Sequence, residues 1–164
     1  MNHDEVSLEH PDGWAAFENI AQFLDVDGWS PDPIDGLTAF SARYIGHNTE
    51  IRVVAHVNVE LEQLYCYAIP PVTAPPERLA EVAEFITRAN YGFRIGNFEC
   101  DLRDGEIRYK ASVDFEGVGL NHSQIRTAIY PAVQTVDRYY PGLVKVVSES
   151  VSAVDAISEI ETGS

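Results

Sequence analysis

The fold is decided first by the stretch Ile51–Glu60, which reads IRVVAHVNVE. Every second residue from Ile51 to Val59 is apolar, and most of the residues between them are polar or charged. A period of two is the pattern of a strand with one packed face and one open face. The stretch therefore predicts the middle strand of a sheet that is covered on one side.

Two further strands flank this stretch. The residues from Leu37 to Ile69 are rich in β-branched and aromatic side chains, with turn signals at Gly46–Asn48 and near Glu60–Glu62, which predicts a three-stranded antiparallel meander. The third strand is apolar on both faces: Tyr65, Tyr67 and Ile69 on one, Leu64, Cys66 and Ala68 on the other. We expect helices to cover one of these faces and a partner the other.

Three helices are predicted around the strands. Asp12 is placed to cap a first amphipathic helix that runs to about Asp25, and the pair Pro75–Pro76 opens a second one that runs to Ala89. The third begins at a capping box formed by Asn121 and Gln124 and runs to Tyr140, with a bend at Pro131; its apolar positions are Ile125, Ala128, Ile129, Ala132, Val133 and Val136.

A second apolar series follows Pro141. Leu143, Val147, Val151, Val154 and Ile157 recur at helical spacing. A helix is predicted there, and a strand over 144–147 is the alternative, because β-branched residues lower helix propensity. Residues Glu159–Ser164 are expected to fray.

The pair Asp104–Gly105 predicts a two-residue hairpin turn between two alternating stretches. With that turn, Leu102 faces Ile107, Cys100 faces Tyr109 and Phe98 faces Ala111. On the other side the facing pairs are oppositely charged: Arg103 with Glu106, Asp101 with Arg108, and Glu99 with Lys110. We interpret these groups as cross-strand ion pairs, not as paired catalytic groups. The elements together predict one α+β domain over residues 1–164: helix, antiparallel meander, helix, hairpin and long bent C-terminal helix.

The charge balance restricts the class of partner. The chain has 26 acidic and 11 basic residues, a formal net charge of −15, and 12 of the acids but only two of the bases precede Pro75. Such a field repels nucleic acid and favours a neutral-to-basic protein or peptide, although solubility alone also explains it. No apolar run approaches the roughly 20 residues of a membrane span. The first residues lack the features of a signal peptide, so we expect a cytoplasmic protein.

No catalytic, metal or cofactor motif is present in the sequence. The five histidines, at positions 3, 10, 47, 56 and 122, share no metal-ligand spacing. Cys66 and Cys100 lack a CxxC partner and are expected to be free, and His56 could approach Cys66 across the second hairpin if the register permits. The glycines form no phosphate-binding pattern. We therefore predict a protein that is not an enzyme and has no cofactor.

Residues 76–141 resemble the YbjN family, whose fold is similar to that of type III secretion chaperones. The likeness lies in the helix from Pro76, the link Asn90–Gly96, the hairpin around Asp104–Gly105 and the closing run Asp137–Pro141. The resemblance implies a non-enzymatic, cytoplasmic, dimeric bacterial sensory transduction regulator. A chaperone of a type III secretion effector, which binds unfolded client segments along sheet edges, is the alternative; an enzyme of unrecognised chemistry is the second.

A homodimer is expected, because three or four helices cannot cover both apolar faces of the third strand. The residues predicted for its interface or for a partner are Tyr65 and Tyr67 with the C-terminal series Leu143, Val147, Val151, Val154 and Ile157.

Overall fold

The structure is a computed structural model that describes residues 11–163. Its six strands form one antiparallel sheet in the order β1-β2-β3-β4-β6-β5. In chain order the elements are α1 (Pro11–Val26), β1 (Asp32–Pro33), β2 (Ala39–Ile45), β3 (Glu50–Asn58), β4 (Gln63–Ile69), a 3-10 turn (Pro76–Arg78), α2 (Leu79–Asn90), β5 (Asn97–Cys100), β6 (Ile107–Asp114), α3 (His122–Ser148) and α4 (Ala153–Thr162). The α+β class is confirmed. The two-residue strand β1 is not predicted, because a proline-flanked pair carries no strand pattern.

The helices cover one face of the sheet. Ile51, Val53, Ala55 and Val57 of β3 are fully or almost fully buried, as are the three β4 residues on the same side, Leu64, Cys66 and Ala68. Their neighbours on the other side, Tyr65, Tyr67 and Ile69, are only half-buried. The alternation read from the sequence is therefore confirmed, and one apolar face of β4 remains open within residues 11–163.

The hairpin between β5 and β6 differs in register from the prediction by two residues. Phe98 pairs with Tyr109 and Cys100 with Ile107, and the loop extends from Asp101 to Glu106. The side chains of Asp101 and Asp104 accept the backbone N–H groups of Arg103 and Glu106, both at 2.9 Å, which competes with ladder pairing.

Because the shift is an even number, each residue keeps its predicted face. Of the three predicted ion pairs only Glu99–Lys110 forms. The two residues are diagonal neighbours on β5 and β6, because Glu99 lies directly opposite Arg108. The pairs Arg103–Glu106 and Asp101–Arg108 are wrong, since Arg103 pairs with Asp101 at 2.6 Å instead.

From His122 to Thr162 the chain forms two helices, α3 and α4, which are joined by residues 149–152. α3 continues through Pro131 and Pro141 to Ser148, so the alternative strand over 144–147 is wrong. The capping box of Asn121 and Gln124 is confirmed, whereas Asp12 lies within α1 and not before it. α4 includes residues 159–162, which the sequence predicts to fray, and Glu159 pairs there with Lys145.

The last two helices are fixed by polar groups at the start of α2. Arg78 donates to the carbonyls of Val146 (2.7 Å) and Val151 (3.0 Å), and Glu81 accepts the N–H of Ala153 at 2.6 Å. These bonds satisfy backbone groups at the end of α3 and the start of α4. Apolar packing behind them buries Leu143 and Ile157.

A single carboxylate ties α3 to the sheet. Asp137 accepts the backbone N–H groups of His47 (2.9 Å), Asn48 (2.8 Å) and Thr49 (3.1 Å), and the Asn48 side chain donates to the Asp137 carbonyl at 2.9 Å. A Cβ at Gly46 would collide with this carboxylate. The turn between β2 and β3 thus forms a cradle of amides that holds an anion from a helix about 90 residues away.

We predict that Asp137→Asn lowers the free energy of unfolding by about 2 kcal/mol. Hydrogen bonds to a charged acceptor are worth about 1.5–3 kcal/mol, and the substitution replaces the carboxylate with a neutral amide, of which only the oxygen accepts. Urea unfolding followed by circular dichroism measures the loss. Asp25→Asn is the matched control, since Asp25 is exposed and has no side-chain partner among residues 11–163. Equal stability of the two variants would contradict the prediction.

Candidate functional site

The open sheet face presents aromatic and apolar side chains at its centre. Val54, His56, Tyr65, Tyr67 and Ile69 are each half-buried and lie on neighbouring strands β3 and β4. The rings of His56 and Tyr65 stack with their centroids 6.0 Å apart. A face of this composition is suited to contact with another molecule.

A network of ions borders this centre on β5 and β6. Glu99 accepts from Arg108 and Lys110, both at 2.8 Å, and the Arg108 guanidinium lies 4.4 Å from the Tyr67 ring centroid. Partial burial acts to raise the pKa of the Glu99 carboxyl, but the hydrogen bonds and charges of Lys110 and Arg108 outweigh it and hold the pKa below its usual range. Glu99 therefore stays ionised and keeps both bases in place.

The charged side chains of the open face differ between the two ends of the strands. One end carries four bases, Arg43, Arg52, Arg108 and Lys110, together with the acids Glu50, Glu99 and Glu106. The opposite end carries only acids: Asp114 at the end of β6, and Glu60, Glu62 and Glu116 in the adjoining turns. The face is therefore neutral to slightly basic at one end and strongly acidic at the other.

The edge of β2 is open over its second half. β1 pairs only with Phe40 and Ser41, and among residues 11–163 no strand pairs with the outer side of Ala42–Ile45. The Thr38 carbonyl accepts from Val57 of β3, and the Gly46 N–H donates to Thr49 just before β3. The Ala39 carbonyl instead accepts from Ile34 on the outer side. In an antiparallel strand these directions alternate, so the N–H and C=O of Arg43 point away from the sheet.

A cleft of about 700 Å³ lies along this edge. Its walls include Trp29, Asp32, Arg43, Glu50 and Arg52. Trp29 is almost buried and provides an apolar floor beside charged groups of both signs. The cleft combines free backbone groups with an apolar wall, which are the two elements that an added strand requires.

The other edge of the sheet is closed by a side chain. The Asn90 amide accepts the N–H of Phe98 at 2.7 Å and donates to the carbonyl of Phe98 at 3.0 Å. Asn90 thus occupies the backbone groups of β5 that a further strand would use. The contrast makes the β2 edge the more accessible of the two.

The structure separates His56 from Cys66, which the sequence could have brought together across the second hairpin. Cys66 pairs with Ala55 and faces the helices, whereas His56 pairs with Tyr65 on the open face, so the two cannot interact. Burial raises the pKa of the Cys66 thiol to about 12. His3 and His10 lie outside the described residues. Within residues 11–163, no group of three His, Cys, Asp or Glu side chains could hold a metal ion, and no helix there is long and apolar enough to cross a membrane.

The predicted interface residues fall into two groups. Tyr65 and Tyr67 lie together on the open face, as described above. Leu143 and Ile157 are buried within the chain, and Val147 and Val151 pack against the same core, which leaves Val154 as the most exposed of the series, at 49%. The C-terminal series therefore serves mainly to attach α3 and α4 to the rest of the chain.

Comparison with known proteins identifies the family. Residues 16–145 match the family model of YbjN, described as "Putative bacterial sensory transduction regulator". The chain belongs to the YbjN family. The match extends beyond residues 76–141, from which the likeness is recognised in the sequence, and includes the meander and most of α1.

Similarity to a solved structure supports the YbjN fold. The chain is similar to the crystal structure of "YbjN, a putative transcription regulator from E. coli", with a TM-score of 0.54 and 13% identity over 76% of this chain and 91% of that one. No curated protein matches the sequence. At this identity the likeness concerns the YbjN fold alone.

Several features of the site escape sequence reasoning. Asn90 closes the edge of β5 only because Phe98, eight residues later, lies beside it in the fold. The edge of β2 is open because β1 has only two residues. The run of alternating charges from Glu99 to Lys110 is visible in the sequence, but its partners depend on the hairpin register.

The network around Glu99 predicts a pH dependence of stability. Because the folded pKa lies below the ordinary value of 4.5, the contribution of Glu99 is present above about pH 4.5 and is lost as pH falls through the lowered pKa. The wild type should therefore lose more stability between neutral pH and about pH 3 than Glu99→Gln, which at neutral pH is less stable by about 1 kcal/mol. Urea unfolding at each pH measures this. Glu106→Gln, which removes a longer ion pair of 3.7 Å, is the control and should behave like the wild type; the same acid loss in all three proteins would contradict the prediction.

Proposed function

We propose that this YbjN-family chain is a non-enzymatic cytoplasmic regulator that binds a segment of another protein along the open edge of β2. The observation that carries the proposal is the outward-facing backbone of Arg43 beside the cleft of about 700 Å³. A segment in extended conformation would pair with Ala42–Ile45 through backbone hydrogen bonds. Its alternate side chains would enter the cleft beside Trp29.

The charges around this edge favour a neutral-to-basic segment. Asp25, Asp32 and Asp35 lie on the β1 side, and Glu50 lies at the far end, where it pairs with Arg43 at 3.6 Å. These acids outnumber the nearby bases Arg43 and Arg52. A cationic segment would be steered towards the edge, whereas an acidic segment or a phosphate backbone would be repelled.

Two further observations support binding and not catalysis. The family is described as a regulator. The high pKa of the buried Cys66 thiol makes it a poor nucleophile, and burial together with the charges of Asp101 and Asp104 raises the pKa of the Cys100 thiol as well. Simultaneous replacement of His56, Cys66 and Cys100 by Ala should leave binding unchanged, and a loss of function in the folded variant would instead favour an enzyme.

The test of the binding edge uses a proline at Arg43. Proline removes the outward N–H without affecting the hydrogen bonds of β2 to β3, which are made by the even-numbered residues. Peptides selected from a random library on the wild-type protein should bind Arg43→Pro at least about tenfold more weakly, a loss equivalent to about 1.4 kcal/mol. Titration calorimetry measures the affinities.

Arg43→Ala is the matched control, because it removes the side chain and keeps the N–H. Retained binding by Arg43→Ala together with loss in Arg43→Pro supports an added strand. If selected peptides bind Arg43→Pro as well as the wild type, the β2 edge is not the site. Circular dichroism establishes that both variants fold.

The association rate of such a segment should fall as salt rises. Exposed charges are screened over about 8 Å at physiological ionic strength, so the steering by Asp32 and its neighbours weakens while apolar contacts persist. Stopped-flow fluorescence of Trp29 at several salt concentrations measures the rate. An association rate that is independent of salt would show that the acidity does not steer the partner.

A further inference from the structure

We infer that two copies of this chain form a dimer through the open sheet face. The twofold axis lies between the two sheets and is perpendicular to the strands, so that each strand faces the same strand of the partner, running in the opposite direction. The open face and the β2 edge are different surfaces of the sheet, although Arg52 and Glu50 belong to the first and also line the cleft beside the second.

Arg52 and Arg94 are exceptions among the bases of this protein. Within residues 11–163, which contain all 11 bases, seven bases form ion pairs with carboxylates, and Arg78 and Arg138 donate to backbone carbonyls. Arg94 lies in the link between α2 and β5, whereas Arg52 lies on the open face. Arg52 contacts only the Ser41 hydroxyl, at 3.5 Å, the limit of a hydrogen bond. An exposed cation without a carboxylate, in a chain with 26 acids, is available to an acidic surface of another molecule.

That acidic surface is present on the same face. Arg52 lies at the end with bases, whereas Asn58, six residues along the same strand, adjoins the turn Glu60–Glu62. The two positions are roughly 20 Å apart at about 3.4 Å per residue, too far for contact within one chain. Arg52 can therefore reach the acids of the turn Glu60–Glu62 only on another molecule.

The division of charge selects one symmetry. If the twofold axis crosses the strands, each position on a strand faces its mirror position along the same strand of the partner, and the end with bases covers the acidic end. If the axis runs along the strands, the two ends with bases face each other and so do the two acidic ends. Only the first arrangement pairs opposite charges.

The register then follows from the midpoint of the open face. Arg52 faces the partner's Asn58, Tyr67 faces the partner's Tyr65, and Arg108 faces the partner's Asp114. The half-buried aromatic rings meet at the centre and the charges lie at the rim, as in stable protein interfaces. In this arrangement both β2 edges lie on the same side of the dimer and remain accessible.

Light scattering over a range of concentrations tests association. The wild type should reach twice the 18.2 kDa of the chain. Val54→Asp, at the centre of the face, should be monomeric while its circular dichroism remains that of the wild type. Leu102→Asp is the matched control, because Leu102 is 62% exposed in the hairpin loop, and should still dimerise. A wild type that is monomeric at every soluble concentration, or a dimeric Val54→Asp, overturns the inference.

A charge exchange tests the symmetry. Arg52→Glu should weaken the dimer about tenfold or more through repulsion by the acidic end, Asn58→Arg should weaken it through repulsion by Arg52, and the double variant should restore it. Absence of restoration overturns the arrangement with opposed strands. Asn58 also accepts the N–H of Leu61 at 3.0 Å, so if Asn58→Arg fails to fold, Gln63→Arg on the adjacent strand replaces it in the same exchange.

Discussion

The carboxylate of Asp137 in the amide cradle of the β2–β3 turn is the interaction on which the arrangement of layers depends. It joins the long helix α3 to the meander and fixes the end of β2 and the middle of α3 at one point. Apolar packing is tolerant of small rotations, because it is not directional. Three hydrogen bonds to one anion are directional, so they restrict the position of α3 relative to the β2–β3 turn more closely than apolar packing does.

With α3 fixed on one face, the other face of the sheet has no covering layer among residues 11–163. Arg78 and Glu81 complete the helical layer by holding the ends of α3 and α4, and the apolar residues after Pro141 are used in that attachment. The half-buried Tyr65 and Tyr67 have no such layer among residues 11–163. The two sheet edges differ as well. Asn90 closes the edge of β5, whereas the edge of β2 is open over its second half, Ala42–Ile45. These differences give the molecule one open face and one open edge.

Local patterns in the sequence were sufficient for the elements and their buried sides. The alternation in Ile51–Val59 and the Asn121–Gln124 box depend on neighbours within one strand or one turn, and both are confirmed. The hairpin register was not accessible, because the side chains of Asp101 and Asp104 compete with the ladder and the Gly105 carbonyl accepts the N–H of Ala74.

The bond between Asp137 and the turn joins residues about 90 positions apart, and no periodicity reports such a contact. The sequence predicts that Tyr65 and Tyr67 share one face of their strand, as they do in the structure, but it does not specify which sheet edge is open. The edge exists because β1 ends after two residues, and the turn-forming residues Pro31, Asp32 and Pro33 do not specify that length.

The net charge of −15 is compatible with the proposed dimer because the charge is unevenly distributed. Most bases are engaged by acids or carbonyls of the same chain, and the bases of the open face lie at one end of the strands. A uniform negative surface would oppose contact between two copies at every orientation, since like charges repel. A face that is acidic at one end only instead penalises the orientations that oppose acidic ends and favours the one that opposes unlike ends. In the proposed dimer, the uneven distribution of acids thereby contributes to the specificity of the contact between the two copies.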